Sequence, residues 1–249
     1  GSAGSGLFTR AIPFTWGMHD LERNLSLLLP LAPGLSAAQG SPSASHVYLE
    51  PEVEARAAIE RRLAEAGVPE GVPLVGLHPG SVWATKRWPL ERFAALAARL
   101  IREQGARVVL VGGPGDKRLC SQVAEEAGAQ AGTILDWSGA TTLAELIALM
   151  PRLALFATND SGPMHIATAS GVPTLAFFGP TTRELGFFPY GPEHRVLEKE
   201  LDCRPCGLHG GRACPHGHFL CMRLISVDEA FQNARAMLAA GKRHAERVG

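Results

Sequence analysis

The stretch LALFATNDSGPMHIATASGVPTLAFFG, residues 153–179, decides the fold. Two apolar runs of strand length, LALFA and TLAFFG, flank SGPMHIATASG, which reads as a short helix starting at Gly162-Pro163. Neither run alternates apolar with polar residues. A strand that is apolar throughout is buried on both faces, and two such strands joined by a helix make a parallel unit. Asn159, Asp160, Ser161 and His165 crowd the point where the first strand hands over to the helix.

The same rhythm runs upstream. VPLVGLHPG (72–80) breaks into a Gly/Pro loop before WPLERFAALAARLIREQG (88–105), a helix whose Leu90, Phe93, Ala97, Leu100 and Ile101 share one face. ARVVLVGG (106–113) predicts a strand and GDKRLCSQVAEEAG (115–128) a helix, with Cys120 in its core face. TILDWSG (133–139) predicts a weaker strand and TTLAELIALM (141–150) a helix. This alternation predicts an α/β fold, a doubly wound Rossmann-like parallel sheet. A closing amphipathic helix is expected from about Ser226 to Arg247, and another from Pro51 to about Ala66 with Gly67 as its stop. Leu21, Leu25 and Leu28 predict a helix within 18–31, ended by Pro33-Gly34, and Ser36–Ser45 reads as a linker. The expected organisation is therefore a linker or tag at 1–6, a helical segment and linker at 7–45, and the Rossmann-like domain at 46–249.

The 249 residues carry 24 Lys+Arg and 24 Asp+Glu, so the formal charge is zero. No global field draws in nucleic acid or an anionic membrane, and any phosphate recognition has to be local. No apolar run approaches the roughly 20 residues of a membrane span, and no signal peptide is read.

Ligands of doubly wound sheets bind beyond the carboxyl ends of the strands. Three polar loops fall there. HPGSVWATKRWP (78–89) sets Ser81, Thr85, Lys86 and Arg87 before a helix with Pro89 expected at its first position. A hydroxyl, an ammonium and a helix N-terminus together favour an anion, foremost a phosphate, although a solvated loop would read similarly. GGPGDK (112–117) is neither GxGxxG nor a P-loop. Asp116 is either an acceptor for ribose hydroxyls or the cap of the next helix. In TNDSGPMH (158–165), Asp160 and Ser161 are either ligands or a helix cap, and His165 is either a ligand or a core histidine. Three such loops at one edge point to a small phosphate-bearing ligand.

PGSVWATKRWP followed by TNDSGPMHIATASGVPTLAFFGPT resembles the C-terminal half of the lipopolysaccharide heptosyltransferases of glycosyltransferase family 9, most of all their ADP-heptose heptosyltransferase II branch. The similarity runs from about Val72 onward and includes CRPC…CPHGHFLCM; residues 7–31 resemble the segment leading out of the family's N-terminal domain. The resemblance implies a GT-B fold of two Rossmann-like domains, this chain supplying the donor-binding one. It implies ADP-heptose (or ADP) as the bound molecule, held by Ser81, Val82, Lys86, Asp116, Thr141, Thr142, Asp160, Ser161, Gly162 and His165. Lys86 and Asp160 are the residues nearest the chemistry, which is inverting transfer of heptose to the lipopolysaccharide inner core with no cofactor required. It further implies a cytoplasmic enzyme, peripheral at the inner membrane, that touches no nucleic acid. The acceptor's general base is an aspartate of the family's N-terminal domain, of which only about thirty residues are recognised here. The expectation is a donor-binding half that needs its partner domain for turnover.

Cys203, Cys206, Cys214 and Cys221, spaced C-x2-C-x7-C-x6-C among His209, His216 and His218, leave open a structural zinc site, an iron–sulfur cluster, or thiols packing a long loop. A non-catalytic nucleotide-sugar-binding module, a GT-B transferase with another nucleotide sugar, and a cysteine-ligated metal protein are the alternative functions.

Overall fold

Leu74–His78 (β1) is buried at all five positions and stands near the middle of a six-stranded sheet. The other strands are Arg107–Leu110 (β2), Ile134–Asp136 (β3), Leu155–Asn159 (β4), Thr174–Phe177 (β5) and Arg195–Leu197 (β6). Their order is β3-β2-β1-β4-β5-β6, and every neighbouring pair is parallel. The helices are Asp20–Ser26 (α1), Val53–Glu65 (α2), Leu90–Gln104 (α3), Lys117–Glu126 (α4), Leu143–Leu149 (α5), Gly162–Ala169 (α6), Leu220–Arg223 (α7) and Val227–Val248 (α8). The computed structural model describes residues 9, 12, 15–28, 30–31, 47–128 and 130–248. The expected tag at 1–6, the Pro33-Gly34 stop and the Ser36–Ser45 linker lie outside the described residues.

The strands are apolar throughout because both faces are covered, and successive residues sort strictly between them. Val75, Leu77, Val108, Leu110, Leu155, Ala157, Leu175 and Phe177 join Phe93, Ala97 and Leu100 of α3, Cys120 and Val123 of α4, and Phe231, Ala234 and Leu238 of α8. Leu74, Val109 and Phe156 turn the other way, onto Ile59 and Leu63 of α2, Leu149 of α5 and Ala167 of α6. Cys120 is fully buried as expected, and burial pushes its thiol up to about 12.

Several boundaries differ from the sequence pattern. Pro89 holds the N-cap of α3 and Leu90 is the first helical residue, with Gly105 closing the helix in the left-handed conformation at φ 62°. The helix expected within 18–31 ends at Ser26 and buries none of its residues. It is held by polar bonds instead: His19 caps it and donates to the Phe188 carbonyl at 2.8 Å, and Arg23 donates to the Leu185 carbonyl at 2.8 Å. β6 was not expected, since its arginine and flanking charges suit an edge strand rather than a buried run. Among the described residues no helix is long and apolar enough to cross a membrane.

Candidate functional site

The strand order reverses direction between β1 and β4, so the loops leaving their carboxyl ends diverge and open a crevice. Register makes the meeting exact to the residue: His78 pairs with Thr158, the last full pair of the ladder. Asn159 follows, fully buried, and stitches the two loops together. Its Oδ1 accepts from the Trp88 backbone at 2.9 Å, and its Nδ2 donates to the carbonyls of Pro79 at 2.9 Å and Gly80 at 3.1 Å. Beneath it the Trp88 ring stacks on Phe177 at 4.3 Å, and Phe93 meets both edge-on. The 78–88 loop is therefore clamped from above by an amide and from below by aromatic packing.

On that clamp the turn Ala84–Lys86 carries Lys86 toward β4. Its Nζ donates to Asp160 Oδ2 at 2.6 Å, and Thr181 Oγ1, from the loop after β5, donates to the same oxygen at 2.6 Å. The two charged side chains are only 12% and 6% exposed. An ion pair this buried repays its desolvation poorly, so its presence at a switch point argues for a task beyond stability. The ammonium has three donors and one is spent on Asp160.

The pair forms a wall of a cavity of about 320 Å³ that also gathers Ser81, Val82, Ser161, Gly162 and His165. Seven of the ten residues expected to bind the donor are thus brought together. Of the two rival readings of Asp160 and Ser161, helix capping is not what the side chains do. Ser161 occupies the N-cap position of α6 without a side-chain cap bond. Its hydroxyl instead donates to the Asn159 carbonyl at 3.1 Å and lies 3.2 Å from His78 Nδ1. His165 is exposed on α6 rather than a core histidine. A Cβ at Gly162 would meet nothing within 4 Å, so open space faces the positive end of the helix dipole.

Asp116, Thr141 and Thr142 are not in this cavity. Neighbouring strands lie ~4.8 Å apart, so the β2 and β3 loops are displaced from Asp160 by about two and three such steps. Thr142 spends its hydroxyl on a capping box, accepting from Glu145 N at 3.1 Å while Glu145 accepts from Thr142 N at 2.8 Å. Asp116 stands at the N-cap of α4 but makes no cap bond there. Its Oδ2 accepts from Gly113 N at 2.9 Å and lies 3.7 Å from His78 Nε2. The His78 contact, helped by the Gly113 N–H and opposed by partial burial, holds this carboxyl below the usual carboxylate range.

The loop after β6 braces the site from behind, which the sequence did not announce. Arg204 donates to the carbonyls of Gly179 and Lys199, to the Thr181 carbonyl at 2.8 Å, and to Glu198 at 2.9 Å. Thr85 and Gly211 exchange bonds, Thr85 N to Gly211 O at 3.1 Å and Gly211 N to Thr85 Oγ1 at 2.7 Å. Gly210 has to be glycine there, because a Cβ would fall 2.5 Å from Trp83 Cβ. The cysteines of this loop are all free. Cys206, Cys214 and Cys221 share a cavity of about 240 Å³, while Cys203 Sγ faces His218 Nε2 at 3.9 Å. Among the described residues no group of three or more His, Cys, Asp or Glu is placed to hold a metal ion.

Known proteins resemble this chain in sequence and fold. A lipooligosaccharide heptosyltransferase 2 of Campylobacter jejuni is 30% identical over 171 residues, 68% of this chain and 52% of that protein. Lipopolysaccharide heptosyltransferase 1 of Pseudomonas aeruginosa is 31% identical over 215 residues, 81% of this chain and 51% of that protein. The chain thus spans about half the length of these relatives. The crystal structure of a family 9 glycosyl transferase from Veillonella parvula superposes with a TM-score of 0.75 at 29% identity, covering 93% of this chain and 63% of that one. The model of glycosyltransferase family 9 (heptosyltransferase) matches residues 2–213, the span that holds the sheet, the Lys86–Asp160 pair and most of the bracing loop, and the chain belongs to that family.

Proposed function

We propose that this chain is the donor-binding half of a heptosyltransferase and that it holds ADP-heptose for inverting transfer to the lipopolysaccharide inner core. The observation that carries the reading is the buried Lys86–Asp160–Thr181 group, which opens into a polar cavity beside the N-terminus of α6. The diphosphate lies against Lys86, Ser81 and the α6 N-terminus, and Asp160 accepts from heptose hydroxyls. From there the nucleoside runs along the sheet edge over β1 and β2 toward β3, where Asp116 and then Thr141 and Thr142 stand. Three strand spacings give about 14 Å for that course.

In the transfer the acceptor hydroxyl attacks the anomeric carbon and the bond from that carbon to the ADP oxygen breaks. The leaving oxygen gains negative charge as the sugar passes through an oxocarbenium-like state. Lys86 and the backbone N–H groups of Ser161 and Gly162 are fixed before the reaction and meet that charge without reorganising, each such donor contributing roughly 3 kcal/mol. The hydroxyl proton goes to a base that, by the family resemblance, is an aspartate in the N-terminal half of the relatives. Residues 1–249 alone are therefore expected to bind ADP and to transfer heptose poorly. The reaction is placed at the cytoplasmic face of the inner membrane, where the acceptor is built.

Titration calorimetry with ADP tests the donor site, and Lys86→Ala should weaken binding roughly 10- to 100-fold, the loss of a charge-assisted contact. Absence of ADP binding by the unsubstituted chain, or UDP preferred over ADP in a donor panel, would overturn the reading. An assay on Kdo-lipid A acceptors tests the other half: efficient turnover by this chain alone contradicts it.

A further inference from the structure

We propose that Asp116, His78 and Ser161 form a relay that fixes the direction of the Ser161 hydroxyl, making it an acceptor for a hydroxyl of the donor sugar and not a donor to phosphate. This rests on the donor-site reading above and assigns His78 as a positioning residue, a role that neither the motif nor the resemblance gave it.

His78 ends β1 with its side chain 4% exposed. One ring nitrogen, Nδ1, lies 3.2 Å from both Ser161 Oγ and Thr158 Oγ1. The other, Nε2, faces Asp116 Oδ2 at 3.7 Å. The space for this line is cut by two glycines. A Cβ at Gly80 would fall 2.3 Å from Asp116 Oδ1 and 2.8 Å from His78 Nε2, and one at Gly112 would fall 2.7 Å from Asp116 Cβ.

An ionised carboxylate only accepts, so the ring tautomer that suits Asp116 Oδ2 across 3.7 Å is the one with its hydrogen on Nε2. With hydrogen on Nε2, Nδ1 is an acceptor. The acceptors in reach of the Ser161 proton are then His78 Nδ1, the Asn159 carbonyl at 3.1 Å and Thr158 Oγ1 at 3.3 Å, and all lie on the protein side. The Ser161 oxygen is left with lone pairs toward the cavity it lines with Lys86 and Asp160. Such an oxygen suits a sugar hydroxyl, which donates, and repels a phosphate oxygen, which cannot.

Two measurements on the full chain decide this. In 15N-histidine spectra His78 should show the Nε2–H form, and Asp116→Asn should shift it toward Nδ1–H; an Nδ1–H ring in the unsubstituted chain overturns the relay whether or not ADP binds. By calorimetry, Ser161→Ala should weaken ADP-heptose about fivefold, the worth of one hydrogen bond, while leaving ADP within about twofold; Asp116→Asn, on the nucleoside's course, should weaken ADP-heptose about fivefold more than it weakens ADP. Equal losses on ADP and ADP-heptose overturn it. His78→Asn, which keeps an amide oxygen near the Nδ1 position, should preserve ADP-heptose binding and abolish the extra loss that Asp116→Asn brings on ADP-heptose over ADP. If that extra loss remains about fivefold, Asp116 does not act through His78. Failure of the unsubstituted chain to bind ADP would instead sink the donor-site reading and leave the spectra to judge the relay.

Discussion

The two sides of the same sheet edge are built to different standards. Over β1, β4 and β5, polar side chains bond across the chain to one another: Asn159 to the 78–88 loop, Lys86 to Asp160, Thr181 to Asp160. Over β2 and β3, the hydrogen bonds at 3.1 Å or less run to their own turns, Asp116 to Gly113 N and Thr142 to Glu145 N, and only the 3.7 Å contact of Asp116 with His78 crosses to the other side. The first side is a preorganised anchor with little room to adjust. The second is a set of ordinary, half-exposed loop and helix starts that a nucleoside can lie against. On the proposed reading, a donor gripped firmly at its reacting end and loosely at its base suits an enzyme that must stabilise a leaving diphosphate and then release it.

The largest effect that distinguishes the two sides is expected from Asp160→Ala. It leaves the Lys86 ammonium buried without its carboxylate, a loss of about 3–5 kcal/mol in urea unfolding. Asn159→Ala comes next. It removes three bonds in a fully buried setting, and at about 1 kcal/mol each the cost is about 3 kcal/mol. If either variant unfolds like the unsubstituted chain, the anchor is not the rigid element described. Thr142→Ala, on the loose side, should cost about 1 kcal/mol, the worth of a helix cap. Should it also weaken ADP in calorimetry as much as Lys86→Ala does, the nucleoside is gripped at the start of α5 too and the contrast between the sides narrows.

The sequence showed the architecture because burial on both faces forces unbroken apolar strands, and that signal is local. It missed β6, whose three residues pair with a single neighbour and need no such run. Lys86 and Asp160 were legible as charges in loops that belong to one sheet edge, although their pairing was not. Asn159 was visible as one polar residue among several, but its partner Trp88 is 71 residues away. Thr181 and His78 carried no signal, since a threonine after a strand and a histidine ending one are commonplace until register brings each beside a carboxylate. The cysteines were distinctive in spacing, but that spacing did not show that their loop is held by Arg204 and by the Thr85–Gly211 exchange.

The smallest effect concerns pH and sharpens the contrast through Asp116. Its carboxyl is held below its ordinary value first by His78, so the folded state binds this proton less readily than the unfolded chain does. Stability from that contact is then complete above the unfolded value near 3.8 and is lost as pH falls through the lower folded value. His19, whose ionisation is also pushed down, chiefly by burial, acts higher on the scale. Its Nδ1 accepts from Leu21 N at 3.1 Å and cannot do so once protonated, so the docking of α1 should weaken as pH drops below about 6.5 toward the folded value. Hydrogen exchange read residue by residue should therefore show α1 loosening as pH falls below about 6.5 while the amides of β1 and β4 hold. The Gly113 amide should lose protection only well below that pH, and Asp116→Asn should remove this acid step without touching the one at α1. Simultaneous loss at both places would mean that one global transition, and not two separately anchored regions, governs the acid response.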